Sequence, residues 1–244
     1  MTTEPGLTTA FIPAAGLGTR MRPLTATRPK PLVEVQGRAL IDHALDRLRD
    51  AGITHAVVNI HYLGDQIVTH LAGRDRPRIA ISDERDRLLD TGGGVVKALA
   101  MIGPGPFLVH NSDTVWHEAG TGNLRRLVGA WDGARMDLLM LLARRETSIG
   151  YSGRGDFELG SGGAIRRRPD GSIVPHVFAG VSIMAPRLLA GAPEGPFSLN
   201  VVWDKAIATG RAFGIELQGT WMHVGDPSAL AEAERFLGAV DGCR

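Results

Sequence analysis

Apolar positions along the chain follow two periods. Behind Thr9 and Ala10, Phe11 and Ile12 form a short apolar run that predicts a buried strand. Over residues 39–51, Leu40, Ile41, Ala44, Leu45 and Leu48 fall at helical spacing, and Gly52 supplies a stop. The run at 56–60, Ala-Val-Val-Asn-Ile, predicts a second strand, and 63–71 a short amphipathic helix. Strands at 79–81, 107–109 and 138–142 then alternate with helices at 94–101 and 124–131. Strands and helices alternating at this pace predict an α/β fold, a mostly parallel sheet with helices on both faces.

The pattern changes after Ala143. Residues 144–180 carry glycines, arginines and short β runs, among them 172–174 and 180–183. The stretch 166–171, Arg-Arg-Arg-Pro-Asp-Gly, reads as a solvated hairpin tip. Helical patterns return at 201–209 and 227–237. Without a long linker or a repeat, the expectation is one domain over residues 1–244, with a first half at about 8–143 and a second, substrate-side half at about 144–244.

Composition narrows the class. Lys plus Arg number 27 against 26 Asp plus Glu, a net charge of +1, which gives no reason to expect nucleic-acid or membrane-surface binding. No apolar stretch approaches the length of a membrane helix, and the opening MTTEPGLTTA lacks the apolar run of a signal peptide. Cys243 is the single cysteine, so no internal disulfide forms and a reducing, cytoplasmic setting is expected.

The chemistry concentrates in residues 14–32, AAGLGTRMRPLTATRPKPL. Glycines permit close backbone approach to a ligand, and Arg and Lys bind phosphate. The stretch lacks the Gly-Lys-Ser/Thr ending of a P-loop, and Met21 stands where a dinucleotide fingerprint needs Gly or Ala. Gly18-Thr19-Arg20 offers donors for polyphosphate oxygens, and Lys30 lies in Arg-Pro-Lys-Pro, where prolines restrict the backbone. Asp113 follows the 107–109 strand, at the carboxyl end where open α/β sheets place ligands. A carboxylate there suits Mg2+, although Asn-Ser-Asp also suits a turn.

Residues 14–25 with Pro29-Lys30-Pro31-Leu32 resemble the signature of the sugar 1-phosphate nucleotidylyltransferases. The resemblance continues through 89–94 (Leu-Asp-Thr-Gly-Gly-Gly), Asn111-Ser112-Asp113, 153–157 (Gly-Arg-Gly-Asp-Phe), 180–182 and 221–225. Within that family the chain looks most like the short bacterial N-acetylmuramate α-1-phosphate uridylyltransferases of cell-wall recycling, which carry the Thr-Gly-Gly-Gly and Gly-Arg-Gly-Asp-Phe segments.

The resemblance implies a single Rossmann-like nucleotidyltransferase fold without a C-terminal β-helix domain, and a monomer or homodimer. It implies Mg2+-dependent transfer from a nucleoside triphosphate, UTP by the nearest likeness, to a sugar 1-phosphate. Hexose 1-phosphates with guanylyl, thymidylyl or uridylyl donors, phosphocholine with a cytidylyl donor, and a non-catalytic nucleotide-binding regulatory subunit stay open as alternatives.

By the same resemblance the nucleotide is held by Ala14, Ala15, Gly16, Gly18, Thr19, Arg20, Lys30, Asp90, Gly92 and Gly93. Arg20, Lys30 and Asp113 carry the catalysis, and Asn111, Gly150, Asp156 and Gly180 face the sugar. The metal falls to Asp113 and His223, with a plain hydrogen-bonding role for His223 equally open. His223 stands where many members have an aspartate, which brings Mn2+ or Co2+ into play as substitutes.

Overall fold

A computed structural model describes residues 6–241. Cys243 and residues 1–5 lie outside the described residues. The first strand, β1 (Thr9–Pro13), is followed by a short β2–β3 hairpin (Glu34–Val35, Arg38–Ala39) and helix α1 (Leu40–Asp50). Next come β4 (His55–Ile60), α2 (Gly64–Leu71), β5 (Arg78–Asp83), α3 (Asp90–Ile102), β6 (Phe107–His110) and β7 (Thr114–Glu118). The chain continues through α4 (Asn123–Ala130), β8 (Leu138–Arg144), β9 (Phe157–Leu159), β10 (Ile165–Arg167) and β11 (His176–Met184). It ends in α5 (Asn200–Ala208), β12 (Ala212–Glu216), β13 (Gly219–His223) and α6 (Pro227–Asp241).

Nine strands form one sheet. β5, β4, β1 and β6 lie parallel in that order, and β11 runs antiparallel against β6. β11 also pairs with β8, which pairs parallel with β12, so both halves of the chain share the sheet. The β9–β10 hairpin extends the β11 side.

Strand alternation sorts the side chains onto two faces. In β1, Ala10 and Ile12 join the core under α1, α2 and α4, while Phe11 joins the core under α3 and α5. In β4, Ala56, Val58 and Ile60 take the first face and Val57 the second. A third, smaller core of Met21, Val33, Val35, Val115, Met222 and Ala233 joins the β2–β3 hairpin, the β7–β13 pair and α6.

Several expectations are corrected. Helix α3 starts at Asp90 rather than Gly94, because its glycines close against the 195–197 segment, a contact that outweighs their poor helix propensity. Residues 172–174 form no strand. Pro175 lacks an amide donor, and Ile173 stays exposed. Arg166 and Arg167 belong to β10, where Arg167 pairs with Asp204 at 2.7 Å. The hairpin tip lies at 160–163 instead, and a separate turn at 169–172 follows. Strands β7, β12 and β13 were not expected. Two of them pair with each other across a hundred residues, so nothing local announces them.

Candidate active site

The carboxyl ends of β1, β4 and β6 open onto a cavity of about 490 Å3. Its walls come from the loop after β1 (Pro13 to Gly18), the Lys30 segment, the Asn111–Asp113 turn after β6, and Leu88, Asp90 and Thr91 at the start of α3.

The first loop is tightly built. Gly18 has φ +62°, and a Cβ there would press on Thr25 and Lys30 at 3.1–3.2 Å, so glycine is required. Thr25 Oγ1 donates to the Gly18 carbonyl at 2.7 Å. Ala14 and Ala15 are buried, and both amides point inward: Ala14 N–H donates to Asn59 Oδ1 at 2.6 Å and Ala15 N–H at 3.3 Å. Those two amides hold the loop in place, while Gly16, Thr19 and Arg20 are exposed beyond it.

Lys30, held in a short 3-10 turn between Pro29 and Leu32, donates from Nζ to Asp113 Oδ2 at 2.7 Å. Asp113 is positioned from behind. Ser112 Oγ donates to the Pro13 carbonyl at 2.8 Å, and Asn111 N–H donates to the Gly180 carbonyl at 2.8 Å. Gly180 occupies an irregularity in β11 at φ +83°, with Thr114 packed where a Cβ would stand. It is buried, one layer behind the turn that it supports.

His223, at the end of β13, pairs in register with Thr114, next to Asp113. Burial lowers its imidazole pKa below the ordinary value, the nearby Lys30 and Arg20 charges act in the same direction, and Asp113 opposes them. Arg20, Lys30, Asp113 and His223 therefore share one electrostatic neighbourhood.

Other expected residues fall elsewhere. Gly92 and Gly93 are buried in the first turn of α3, and both amides donate to the Phe197 carbonyl, at 2.8 and 3.3 Å. A Cβ on either would overlap the Phe197 ring or the Gly195 carbonyl. They pack the helix start, and the cavity wall at this corner is made by Asp90 and Thr91. Asp156 accepts the Phe178 amide at 2.9 Å on Oδ2 and ties its loop to β11. Gly150 lines a separate groove of about 510 Å3 with Tyr151, Ser152 and Asp226.

Asn59 and Glu84 escaped the sequence reading. The signal was a carboxamide inside an apolar strand run, where a buried polar group must find partners.

A divalent cation fits the donors present. Asp113 offers a partly exposed carboxylate at the cavity, with the His223 imidazole nearby. Among the described residues no group of three or more His, Cys, Asp or Glu is placed to cage a metal. One carboxylate and one imidazole suit an ion that takes most of its ligands from substrate phosphates and water.

Residues 9–148 match the family described as nucleotidyl transferase. The chain belongs to the nucleotidyl transferase family. An N-acetylmuramate alpha-1-phosphate uridylyltransferase of Caulobacter vibrioides is 48% identical over 232 residues, which cover 93% of this chain and 96% of that one. A protein of the same name from Neisseria meningitidis serogroup B is 34% identical, over 94% and 98% of the two chains. The solved structure of a UDP-glucose pyrophosphorylase complexed with UDP-glucose superposes with a TM-score of 0.76, at 16% identity over 96% of this chain and 99% of that one. The mostly parallel α/β sheet of the nucleotidyltransferase fold is thus confirmed over the described residues. No helix of the described residues is long and apolar enough to cross a membrane.

Proposed function

We propose that this nucleotidyltransferase moves the uridylyl group of UTP onto N-acetylmuramic acid α-1-phosphate in the cytoplasm, releasing pyrophosphate, as a step of cell-wall recycling. A sugar-phosphate oxygen bonds to the α-phosphorus of the triphosphate, and the bond from that phosphorus to the pyrophosphate oxygen breaks. The attacking oxygen is already anionic, so no protein base is needed. What the reaction requires is to bring two polyanions together and to stabilise charge at the transferring phosphorus.

The observation that carries this reading is the Lys30–Asp113 pair at the mouth of a cavity walled by a glycine loop. Lys30 and Arg20 supply the positive charge that draws the phosphates in. The loop from Gly16 to Thr19 lies against the triphosphate, and Asp90 and Thr91 stand at the nucleoside end. Asp113, with His223 beside it, would hold Mg2+, which neutralises phosphate charge when bound. The choice of UTP and the muramic sugar is supported by the two uridylyltransferase relatives, which align over nearly the whole chain.

The test is a matrix of nucleoside triphosphates against sugar 1-phosphates, read as pyrophosphate release. The highest kcat/KM is expected for UTP with N-acetylmuramic acid α-1-phosphate. A best rate with GTP and mannose 1-phosphate would overturn the substrate reading.

A further inference from the structure

Asn59 lies on β4 with 3% of its surface exposed, and Glu84, just past β5, is fully buried. Asn59 Oδ1 accepts both the Ala14 and the Ala15 amide. Its Nδ2 donates to Glu84 Oε1 at 2.7 Å, and Glu84 Oε2 accepts the Leu89 amide at 3.1 Å. Only this orientation of the carboxamide satisfies its neighbours, since the oxygen faces two donors and the nitrogen faces a carboxylate. Helix α3 closes over the pair at Gly94, where a Cβ would stand 2.8 Å from both Asn59 Nδ2 and Glu84 Oε1.

The chain of bonds runs from the loop after β1 to the start of α3. One end fixes the loop whose residues Ala14 to Gly16 and Gly18 line the cavity, and Asn59 itself reaches the cavity wall beneath them. The other fixes Leu89, between the lining residues Leu88 and Asp90. In the proposed binding mode these two walls would flank the triphosphate and the nucleoside. Neither Glu84 nor the two alanine amides need touch the nucleotide.

We infer that Asn59 and Glu84 form a buried clamp that positions the phosphate loop against the nucleoside wall, and so sets the affinity for the nucleoside triphosphate. The inference rests on the reading that the loop after β1 holds the triphosphate. It adds two positioning residues that act through the Ala14, Ala15 and Leu89 backbone.

The pair can be reversed. Asn59→Asp alone sets two carboxylates face to face, and Glu84→Gln alone cannot serve both Asn59 Nδ2 and the Leu89 amide as acceptor. With both changes, the new aspartate still accepts from Ala14 and Ala15. The new glutamine donates to it and accepts from Leu89. One hydrogen bond changes direction and the others are retained.

Pyrophosphate release is measured for the wild type, both single variants and the double variant, with UTP and N-acetylmuramic acid α-1-phosphate varied in turn and melting followed alongside. Asn59→Asp is expected to raise the UTP KM about tenfold or more, the scale of one buried hydrogen bond lost. Glu84→Gln should do so to a lesser degree, with the sugar-phosphate KM little changed in both. The double variant should return the UTP KM to within about threefold of wild type.

A shift in melting temperature with both KM values unchanged overturns the positioning role. A double variant no better than the worse single overturns the pairing. Should Asn59→Asp fail to fold, Glu84→Gln, which keeps the shape, decides alone: a raised UTP KM supports the clamp and an unchanged one overturns it. Lys30→Ala separates this from the underlying reading. Normal activity in Lys30→Ala refutes the phosphate site itself, whereas a crippled Lys30→Ala beside kinetically normal clamp variants refutes only the clamp.

Discussion

Lys30 Nζ and Asp113 Oδ2 stand 2.7 Å apart, joining two loops 83 positions apart in sequence at the cavity mouth. The lysine side chain is 12% exposed and the aspartate 35%, so water reaches the pair and its worth to folding is small. The ammonium is held at the cavity by a partner that it can leave at little cost for a phosphate oxygen. A metal ion on Asp113 and a phosphate on Lys30 are then compatible occupants of one site.

Lys30→Ala is therefore expected to lower kcat by about 100-fold or more, the scale of removing one preorganised charge donor. Its melting temperature should stay within a few degrees of wild type. Pyrophosphate release and a thermal melt measure both. Near-normal turnover in a normally folded variant would remove Lys30 from phosphate handling.

The parts of the site legible in the sequence are those whose geometry is local. Gly18, Lys30 and Asp113 stand in short motifs, and their backbone constraints (a positive φ, two flanking prolines, a turn after a strand) are written within a few residues of them. Asn59 shows in the sequence only as a carboxamide inside an apolar run, and the roles of Asn59 and Glu84 stay hidden there because Asn59's partners Ala14 and Ala15 come from another element, and only the folded sheet brings the two residues together. The same holds for Gly92 and Gly93, which read as ligand-facing glycines. Their lack of a side chain is demanded by Phe197 and Gly195, about a hundred residues later. The parallel half of the sheet was legible because each of its strands is a dense apolar run, whereas β13 has Trp221 and Met222 between polar neighbours.

Glycine-to-alanine changes in two helices should have opposite signs. At Gly129 in α4 an added methyl would meet nothing within 4 Å, so Gly129→Ala should gain up to about 1 kcal/mol of helix propensity. Gly92→Ala gains the same propensity but drives a methyl into the Phe197 ring, whose own carbonyl holds the Gly92 amide. Overpacking costs roughly 1–3 kcal/mol and wins. Urea midpoints of the two variants on opposite sides of wild type would confirm the assignment. A stabilising Gly92→Ala would contradict the packing role.

His110 at the end of β6 makes stability depend on pH. Burial lowers its pKa to about 4, with Arg47 contributing, while a bond to the Asn111 carbonyl and the Asp113 charge oppose the shift. The unfolded chain binds this proton near pH 6.5 and the folded one does not. The contribution is thus full above pH 6.5 and is lost as pH falls towards 4, roughly 2 kcal/mol of it by pH 5. His110→Phe keeps a ring against Trp116, which stacks on it at 5.7 Å, and removes the titrating group. Its urea midpoint should fall less between pH 7 and pH 5 than that of the wild type. Equal falls in the two proteins would assign the proton uptake to other groups.

The identity of the second donor should decide which metal serves best. Asp113 offers one hard carboxylate, and the triphosphate adds oxygens, so Mg2+ retains a workable set of ligands. Asp113→Asn should therefore lose most activity, and a chelator should silence the wild type, with added Mg2+ restoring it. His223 brings an imidazole to the same neighbourhood, and its burial favours the neutral form that can ligate. Imidazole favours softer ions than Mg2+, so Mn2+ or Co2+ should support the wild type as well as Mg2+ or better. His223→Asp supplies a second carboxylate at the end of β13, beside Asp113, and should shift the preference towards Mg2+. The ring also packs near Trp221 and Tyr151, at centroid distances of 5.6 and 6.2 Å. A melt of the variant separates lost packing from altered ligation. The deciding measurement is turnover against the concentration of each ion for the two proteins. Identical orders of metal preference in both would mean that His223 does not ligate, and would leave Asp113 as the one protein donor to the ion.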